Sequence, residues 1–202
     1  MHDLLIIRHG QSEWNVERRW QGWKDAPLTE LGISQARHRA ETLAESGFAP
    51  EVVVSSDLGR ARLTAEIIAG RLGAPARTDP GFRERCGGDW EGWTIDEIEA
   101  QWPEQLAAWR DGDRSLPPGS EDDAVVLARF DAAITAVLSG PRPAVIVTHG
   151  GILHLVAARA GVDVHTLIPN LAGFWFQTGS GKLSRPEPIA PLPEATDLPQ
   201  AE

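Results

Sequence analysis

Two arginines and two histidines follow predicted buried strands, and their side chains are suited to binding phosphate. Arg8 and His9 come directly after one run of apolar residues, Arg60 comes shortly after a second run, and His149 follows a third. A guanidinium offers a planar pair of N–H donors that matches phosphate oxygens, whereas an imidazole serves as a nucleophile or a donor. Since a single histidine at a strand end more often has a structural role, the prediction of a phosphoryl site requires all four residues to meet.

The three apolar runs predict strands of one sheet that would bring these residues together. Leu4–Ile7, Val52–Val54 and Ala144–Val147 each have the length and continuous apolar character of a strand buried on both faces. Helical periodicity over Thr29–Ser46 and Leu58–Leu72 separates them, and this alternation indicates an α/β fold with a mostly parallel sheet. Because ligands bind at the carboxyl ends of such strands, the four side chains are expected to converge there. The remaining predicted elements are a short strand at 76–78, helices over about 121–138 and 152–160, and late strands at 173–178 and 183–185.

The segment from about residue 85 to 120 interrupts the alternation of strands and helices. Its glycines, its prolines and a capping box from Thr94 to Glu97 predict short helices in an excursion that forms a lid. The segment also carries four of the eight tryptophans. Their indoles can pack on a sugar or nucleoside beside Arg110 or Arg114, or they can fill a small core beneath the lid.

The composition is that of an acidic globular protein with one cysteine. The 202 residues include 19 basic and 29 acidic side chains, and the net charge of −10 argues against binding to nucleic acid or an anionic membrane. The length favours a single domain, predicted over residues 1–185, and the proline-rich acidic tail at 186–202 is expected to be flexible. One cysteine, without a signal peptide or a long apolar run, favours the cytoplasm. The histidine spacing predicts no metal site.

Six short motifs resemble those of the histidine phosphatase superfamily, in its phosphoglycerate mutase-like branch. They occur in the family's order and together span roughly residues 3 to 160. They are LIIRHGQSEWN at 5–15, RWQGW with PLTELG at 19–32, SDLGRA at 56–61 with Thr64 and Ala65, FRE at 82–84, GDWEG at 88–92, and THGG at 148–151.

The resemblance implies a three-layer fold, with helices on both sides of the sheet, and a two-step phosphoryl transfer. His9 would attack phosphorus and carry the phosphoryl group, while Arg8, Arg60 and His149 would surround the equatorial oxygens. Glu84 would protonate the leaving alkoxide and then accept a proton from the attacking water. No metal and no cofactor are implied.

Further contacts to the phosphoryl group or its ester are implied for neutral groups. Asn15 and the backbone of Gln21 and Gly22 would donate hydrogen bonds, and Gly150 is also placed among the substrate-binding residues. The arginines on either side of Glu84 in the sequence are expected to point away from it, toward substrate or solvent.

Within the family, the chain looks more like a phosphatase than a mutase. It has no tyrosine, Cys86 stands where the cofactor-dependent mutases carry an aromatic side chain, and Gln21 stands where they carry threonine. We therefore predict a metal-independent phosphomonoesterase of the histidine acid phosphatase type that acts on a small phosphorylated metabolite.

The substrate and several alternative functions stay open at this point. Candidate substrates are phosphosugars, phosphoglycerate derivatives including glucosyl-3-phosphoglycerate, ribazole phosphate and phosphorylated amino acids. The alternative functions are phosphoglycerate mutase activity, phosphoprotein phosphatase activity, a metal-dependent hydrolase and a noncatalytic module that binds a phosphorylated ligand. A homodimer is left open beside a monomer.

Overall fold

One mixed sheet organises the chain in the computed structural model, which describes residues 2–111, 117–162, 168–178, 183–190 and 192. The strands lie side by side in the order β3-β2-β4-β1-β5-β6. The first four of these neighbours run parallel, β5 is antiparallel to β1, and β6 is antiparallel to β5. The predicted mostly parallel α/β sheet is therefore confirmed. The strands are β1 Leu4–Arg8, β2 Val52–Ser55, β3 Ala76–Thr78, β4 Ala144–Thr148, β5 Gly173–Phe176 and β6 Glu187–Pro188.

Helices connect the parallel strands and begin and end close to the predicted residues. The Thr29 hydroxyl accepts the Gly32 N–H at the start of α2, and Gly73 closes α3 in the left-handed conformation that glycine adopts readily. The helices are α1 Glu13–Val16, α2 Glu30–Glu45, α3 Gly59–Leu72, α4 Ile95–Gln101, α5 Pro103–Arg110, α6 Asp123–Leu138 and α7 Gly150–Arg159, with 3₁₀ turns at Pro80–Phe82 and Gly88–Trp90.

Alternate side chains of the central strands enter two apolar cores, one on each face of the sheet. Leu4 and Ile6 of β1 pack in a core that includes residues of α6 and α7. Leu5 and Ile7 pack in a second core that includes residues of α2 and α3. Because both faces of β1 are covered, its sequence is a continuous apolar run, and the three-layer arrangement is confirmed.

The excursion over 85–120 contains the predicted short helices and a small core of its own. Trp90, Ile98 and Leu106 are fully buried, and Trp20 and Trp109 both belong to this cluster, with the Trp20 ring edge-on to the indoles of Trp90 and Trp109. The second of the two predictions for the tryptophans, a small core, is therefore correct for these residues.

Of the two arginines predicted to bind a second anionic group of the substrate, the structure describes one. Arg110 forms a salt bridge with Glu99 on the exposed side of the excursion, which leaves the guanidinium engaged by a carboxylate. Arg114 lies outside the described residues.

The end of the chain differs from its prediction in the position of the last strand. The strand predicted at 183–185 is absent from the described residues there, and the strand is found instead at Glu187–Pro188, paired with β5. In the segment predicted to be a flexible tail from residue 186, Ile189 is buried in the core and the carbonyl of Ala190 accepts a hydrogen bond from Arg39. Residues 193–202 lie outside the described part.

Candidate active site

The sheet brings the four predicted phosphate-binding residues together. Arg8 pairs in register with Thr148 on the neighbouring strand β4, so that His9 and His149 leave the sheet side by side. Their ring centroids are 5.2 Å apart. Arg60 lies in the first turn of α3, the helix that follows β2, and its charge adds to burial in lowering the pKa of both imidazoles. The predicted convergence is therefore observed.

The His9 ring is held in one tautomer inside the protein. Its Nδ1 lies 2.7 Å from the carbonyl oxygen of Gly10, and the residue is 3% exposed. Because a carbonyl oxygen can only accept, Nδ1 carries the proton and Nε2 keeps its lone pair. Burial, followed by the charges of Arg60 and Arg8, lowers the pKa of His9 well below its usual value. The ring is therefore neutral, with an unshared electron pair on Nε2.

Gly10 allows the chain to pass close to α2 at this point. A Cβ on Gly10 would lie 2.5 Å from the carbonyl oxygen of Gly32, so a side chain there would clash with the helix backbone. The Gly10 N–H donates to the hydroxyl of Thr64, which itself donates to the carbonyl of Arg60. These bonds connect the turn after β1 to α3 and fix the carbonyl that orients His9.

Several buried polar nitrogen atoms around His9 have no partner within the described part of the chain. Both ring nitrogens of His149 and the Nε atoms of Arg8 and Arg60 are in this group. Unsatisfied buried polar groups are costly, and burial lowers the pKa of both guanidinium groups and of His149. A bound anion would accept hydrogen bonds from the two arginines and from the protonated nitrogen of the His149 ring, and it would favour the cationic arginines.

The remaining donors of Arg60 hold the loop that follows α1. Nη1 donates to the carbonyl of Lys24 and to the carboxylate of Asp25, both at 3.0 Å, and Nη2 donates to the carbonyl of Gly22 at 2.8 Å. Asp25 also accepts the N–H of Gly59 at the start of α3. Arg60 thus positions this loop while its Nε stays without a partner among the described residues.

Glu84 lies at the same edge of the sheet and faces the N-terminus of α7. Its Oε2 accepts the Gly151 N–H at 3.0 Å, and its Oε1 accepts the Arg85 N–H at 2.9 Å. The charge of Glu84 acts on the pKa values of both Arg8 and Arg60, raising each against the larger effect of burial. The carboxyl group is therefore close to the proposed phosphate site.

Both neighbouring arginines engage other carboxylates rather than Glu84. Arg83 forms two hydrogen bonds to Asp57, and Arg85 pairs with Asp123. They point away from Glu84, as expected. They contact protein carboxylates, which the sequence did not indicate.

The four residues that the resemblance assigns to substrate binding lie near the same edge of the sheet, and each makes its own contacts with the protein. Asn15 is half-buried, and its Oδ1 accepts the Ser12 N–H, while the side chain of Gln21 accepts from the Ser12 hydroxyl. Gly22 presents its carbonyl to Arg60, and Gly150 begins α7 beside the Arg8 side chain. All four lie around the site, and their roles toward a substrate stay predictions.

Three polar residues at the site were not assigned a role from the sequence. Asn170 donates to the backbone carbonyl of His9, Asp25 holds Arg60, and the buried carboxylate of Glu91 accepts N–H groups from the loop after α1. The position of Asn170 shortly before the predicted strand at 173–178 could have indicated a place at the site. A strand antiparallel to β1 begins at the edge of the sheet where the parallel strands end, so the residues before it lie near His9.

Metal binding and membrane insertion were examined across the described residues. Within the described ranges, no cluster of three or more histidine, cysteine or carboxylate side chains has the arrangement to hold a metal ion. No helix in that part of the chain has the length and apolar character to cross a membrane.

Comparison with known proteins identifies the family. The family model described as histidine phosphatase superfamily (branch 1) matches residues 4–169, which include β1, β4 and every residue discussed above for the site except Asn170. The chain belongs to the histidine phosphatase superfamily. The resemblance carried by the short motifs is thus confirmed.

Relatives within the histidine phosphatase superfamily include phosphatases and mutases. The chain is 39% identical over 171 residues to a glucosyl-3-phosphoglycerate phosphatase of Mycolicibacterium vanbaalenii, covering 80% of this chain and 75% of that protein. It is 41% identical over 130 residues to a 2,3-bisphosphoglycerate-dependent phosphoglycerate mutase of Nitrobacter hamburgensis, covering 62% of this chain and 63% of the mutase.

Two solved structures share the fold over most of the length of this chain. The protein named YhfR of Bacillus stearothermophilus superimposes with a TM-score of 0.80 at 30% identity, covering 90% of this chain and 94% of that one. A mycobacterial glucosyl-3-phosphoglycerate phosphatase in complex with VO3 gives a TM-score of 0.76 at 34% identity, covering 87% of this chain and 92% of that one.

Proposed function

We propose that this histidine phosphatase is a metal-independent phosphomonoesterase that transfers phosphate from a small ester to His9 and then to water. The observation that carries the proposal is the neutral His9 ring, with Nδ1 bonded to a carbonyl and its Nε2 lone pair available beside two buried guanidinium groups. Such an arrangement combines a nucleophile with donors for the charge that develops on phosphorus.

In the first step, the Nε2 lone pair of His9 attacks phosphorus and the bond to the ester oxygen breaks. Glu84, protonated at this stage, gives its proton to the leaving oxygen, so that a neutral alcohol departs and Glu84 becomes a carboxylate. Arg8, Arg60 and His149 hydrogen-bond to the three equatorial oxygens, and their fixed positions lower the cost of reorganisation.

In the second step, water replaces the alcohol. The Glu84 carboxylate takes a proton from water while the water oxygen attacks phosphorus, and the N–P bond breaks. Inorganic phosphate leaves, His9 regains its neutral ring, and Glu84 is protonated for the next cycle. The N–H of Gly151, 3.0 Å from Oε2, helps to hold the Glu84 side chain in position for this step.

The proposed substrate is a phosphosugar or a phosphoglycerate derivative. Trp23 supports this class, because its indole N–H donates to the carbonyl of Glu84 and the exposed ring lies near the group that protonates the leaving alcohol. An indole face and a nearby charged pair, Arg83 with Asp57, suit a hydroxylated alcohol. The phosphatase relatives named for glucosyl-3-phosphoglycerate support the same class.

We also propose a cytoplasmic location and a small-molecule partner for the enzyme. The single cysteine and the acidic charge support a cytoplasmic enzyme whose partner is a small phosphate ester, without nucleic acid or a membrane.

Phosphate release from a panel of phosphate esters tests the proposed function. The wild-type protein is expected to release phosphate from sugar phosphates and phosphoglycerate derivatives, and His9→Ala is expected to lose this turnover while its melting temperature stays nearly unchanged. His38→Ala, on α2, is the matched control and is expected to retain activity. Transfer of phosphate to a glycerate hydroxyl rather than to water would favour the mutase, and binding without turnover would favour a noncatalytic module.

A further inference from the structure

The loop at 168–172 contacts the end of β1 from the side opposite β4. Arg8 donates from Nη1 to the carbonyl of Ile168 at 2.7 Å, and its backbone N–H donates to Ala172. The N–H of Leu171 donates back to the carbonyl of Arg8. Three hydrogen bonds therefore fix this loop to the residue that precedes His9.

Asn170, within this loop, connects the proposed nucleophile to Asn15. Its Nδ2 donates to the backbone carbonyl of His9 at 2.9 Å and to Oδ1 of Asn15 at 3.3 Å. Both acceptors are oxygens, so the carboxamide of Asn170 must present its amide nitrogen to them. One side chain thus uses its two N–H groups on two parts of the site.

The orientation of the Asn15 carboxamide follows from these contacts. Its Oδ1 also accepts the backbone N–H of Ser12 at 3.1 Å, and a backbone N–H can only donate. With the oxygen held by Ser12 and Asn170, the amide nitrogen of Asn15 is directed away from both of them. Loss of Asn170 would leave the Asn15 carboxamide with one of its two fixing contacts.

A buried arginine holds the loop that carries Asn170. Leu171 has a φ of +58°, an unfavourable conformation for a residue with a branched side chain, and its carbonyl accepts a hydrogen bond from Nε of Arg39. Nη2 of Arg39 donates to the carbonyl of Ala190. Burial lowers the pKa of Arg39 to about 10, so the hydrogen bonds to backbone carbonyls compensate a real cost of desolvation. The loop is therefore anchored from the core side.

We infer that Asn170 is a positioning residue that acts through Asn15, turning the Asn15 amide nitrogen toward the phosphoryl group. This inference rests on the proposed function, since it assigns Asn170 a part in the same reaction. The hydrogen bond from Asn170 to His9 is made to the backbone carbonyl and not to the ring. Its effect on the reaction therefore passes through the side chain that it orients.

A double-mutant cycle of Asn15 and Asn170 tests the inference. Asn170→Ala is expected to reduce kcat/KM on an aryl phosphate, and to weaken inhibition by orthovanadate, by about threefold to tenfold, the factor that one neutral hydrogen bond contributes. In the Asn15→Ala background, the same change is expected to reduce both quantities by less than about 1.5-fold, because the side chain through which Asn170 acts is gone.

Two further variants separate positioning from loop stability. Pro169→Ala changes an exposed neighbour in the same loop and is expected to keep wild-type kcat/KM. Asn170→Ser, whose hydroxyl is too short to reach both acceptors, is expected to behave like Asn170→Ala and serves if the alanine variant does not fold. Losses that multiply in the double variant, or an equal loss in Pro169→Ala, would overturn the inference. The proposed function would still stand if wild type turns over phosphate esters and His9→Ala does not.

Discussion

Mild acidification is expected to destabilise the folded protein through His9 and His149. Burial lowers the pKa of both imidazoles well below the ordinary value of 6.5, and the nearby charge of Arg60 adds to this effect. The unfolded chain therefore binds protons on these two residues at a pH where the folded protein does not. Since stability falls wherever the unfolded state binds more protons, it is lost as the pH decreases through the unfolded value.

The size of this effect follows from the linkage relation. For one imidazole that is neutral in the folded protein, lowering the pH from 7 to 5.5 reduces the free energy of unfolding by about 1.2 kcal/mol. The two buried histidines together give about 2.5 kcal/mol, a large part of the 5 to 15 kcal/mol that is typical of a folded domain. Asp57, whose pKa Arg83 lowers, loses its stabilising ion pair only at more acidic pH, outside this interval.

Urea denaturation at several pH values between 7 and 5.5 measures the effect. His9→Gln and His149→Gln are each expected to remove about half of the pH dependence, and the double variant is expected to remove both contributions. Comparison with wild type at each pH cancels the contribution of the other titrating groups. If both single variants kept the full pH dependence of wild type, the imidazoles would be solvated, and the argument for a neutral buried nucleophile would fail.

Three further predictions concern the chemistry of the site. Glu84→Gln is expected to impair hydrolysis of alkyl phosphates much more than that of aryl phosphates, because a good leaving group needs little protonation; equal losses in kcat would contradict its role as the acid. Arg60→Lys is expected to lower kcat/KM by about 10² to 10³, since an ammonium cannot bridge the loop carbonyls and also donate to phosphate; steady-state kinetics below the melting temperature of the variant checks this. Dialysis against EDTA is expected to leave turnover unchanged, whereas loss of activity that a divalent metal restores would show a metal-dependent hydrolase.

The central strands and the four convergent residues were predictable because their signals are local. Leu4–Ile7 is apolar at every position because both faces of β1 are covered, and parallel strands bring the residues at their carboxyl ends to one edge of the sheet. Binding of a phosphoryl group could then be inferred from the two arginines and two histidines expected at this edge. The two-step reaction and the roles of the individual residues were implied by the resemblance to the histidine phosphatase superfamily.

Other features depend on contacts between distant parts of the chain that carry no local pattern. Asn170 is an ordinary polar residue in a loop, and only the antiparallel pairing of β5 with β1 brings it to His9. The prolines after residue 185 indicated a loose tail, yet Ile189 fills the core beside α2 and α3. Burial against a preformed surface outweighs local propensity in such a short segment.

Covalent trapping of the phosphoryl group tests the central claim most directly. The enzyme is mixed with a ³²P-labelled ester, quenched in alkali within one turnover and digested, and the peptides are analysed for an acid-labile adduct. We expect stoichiometric label on the N-terminal peptide that contains His9, and no label there in His9→Ala. Rapid release of phosphate by wild type with no label on His9 at any time within the turnover would contradict it.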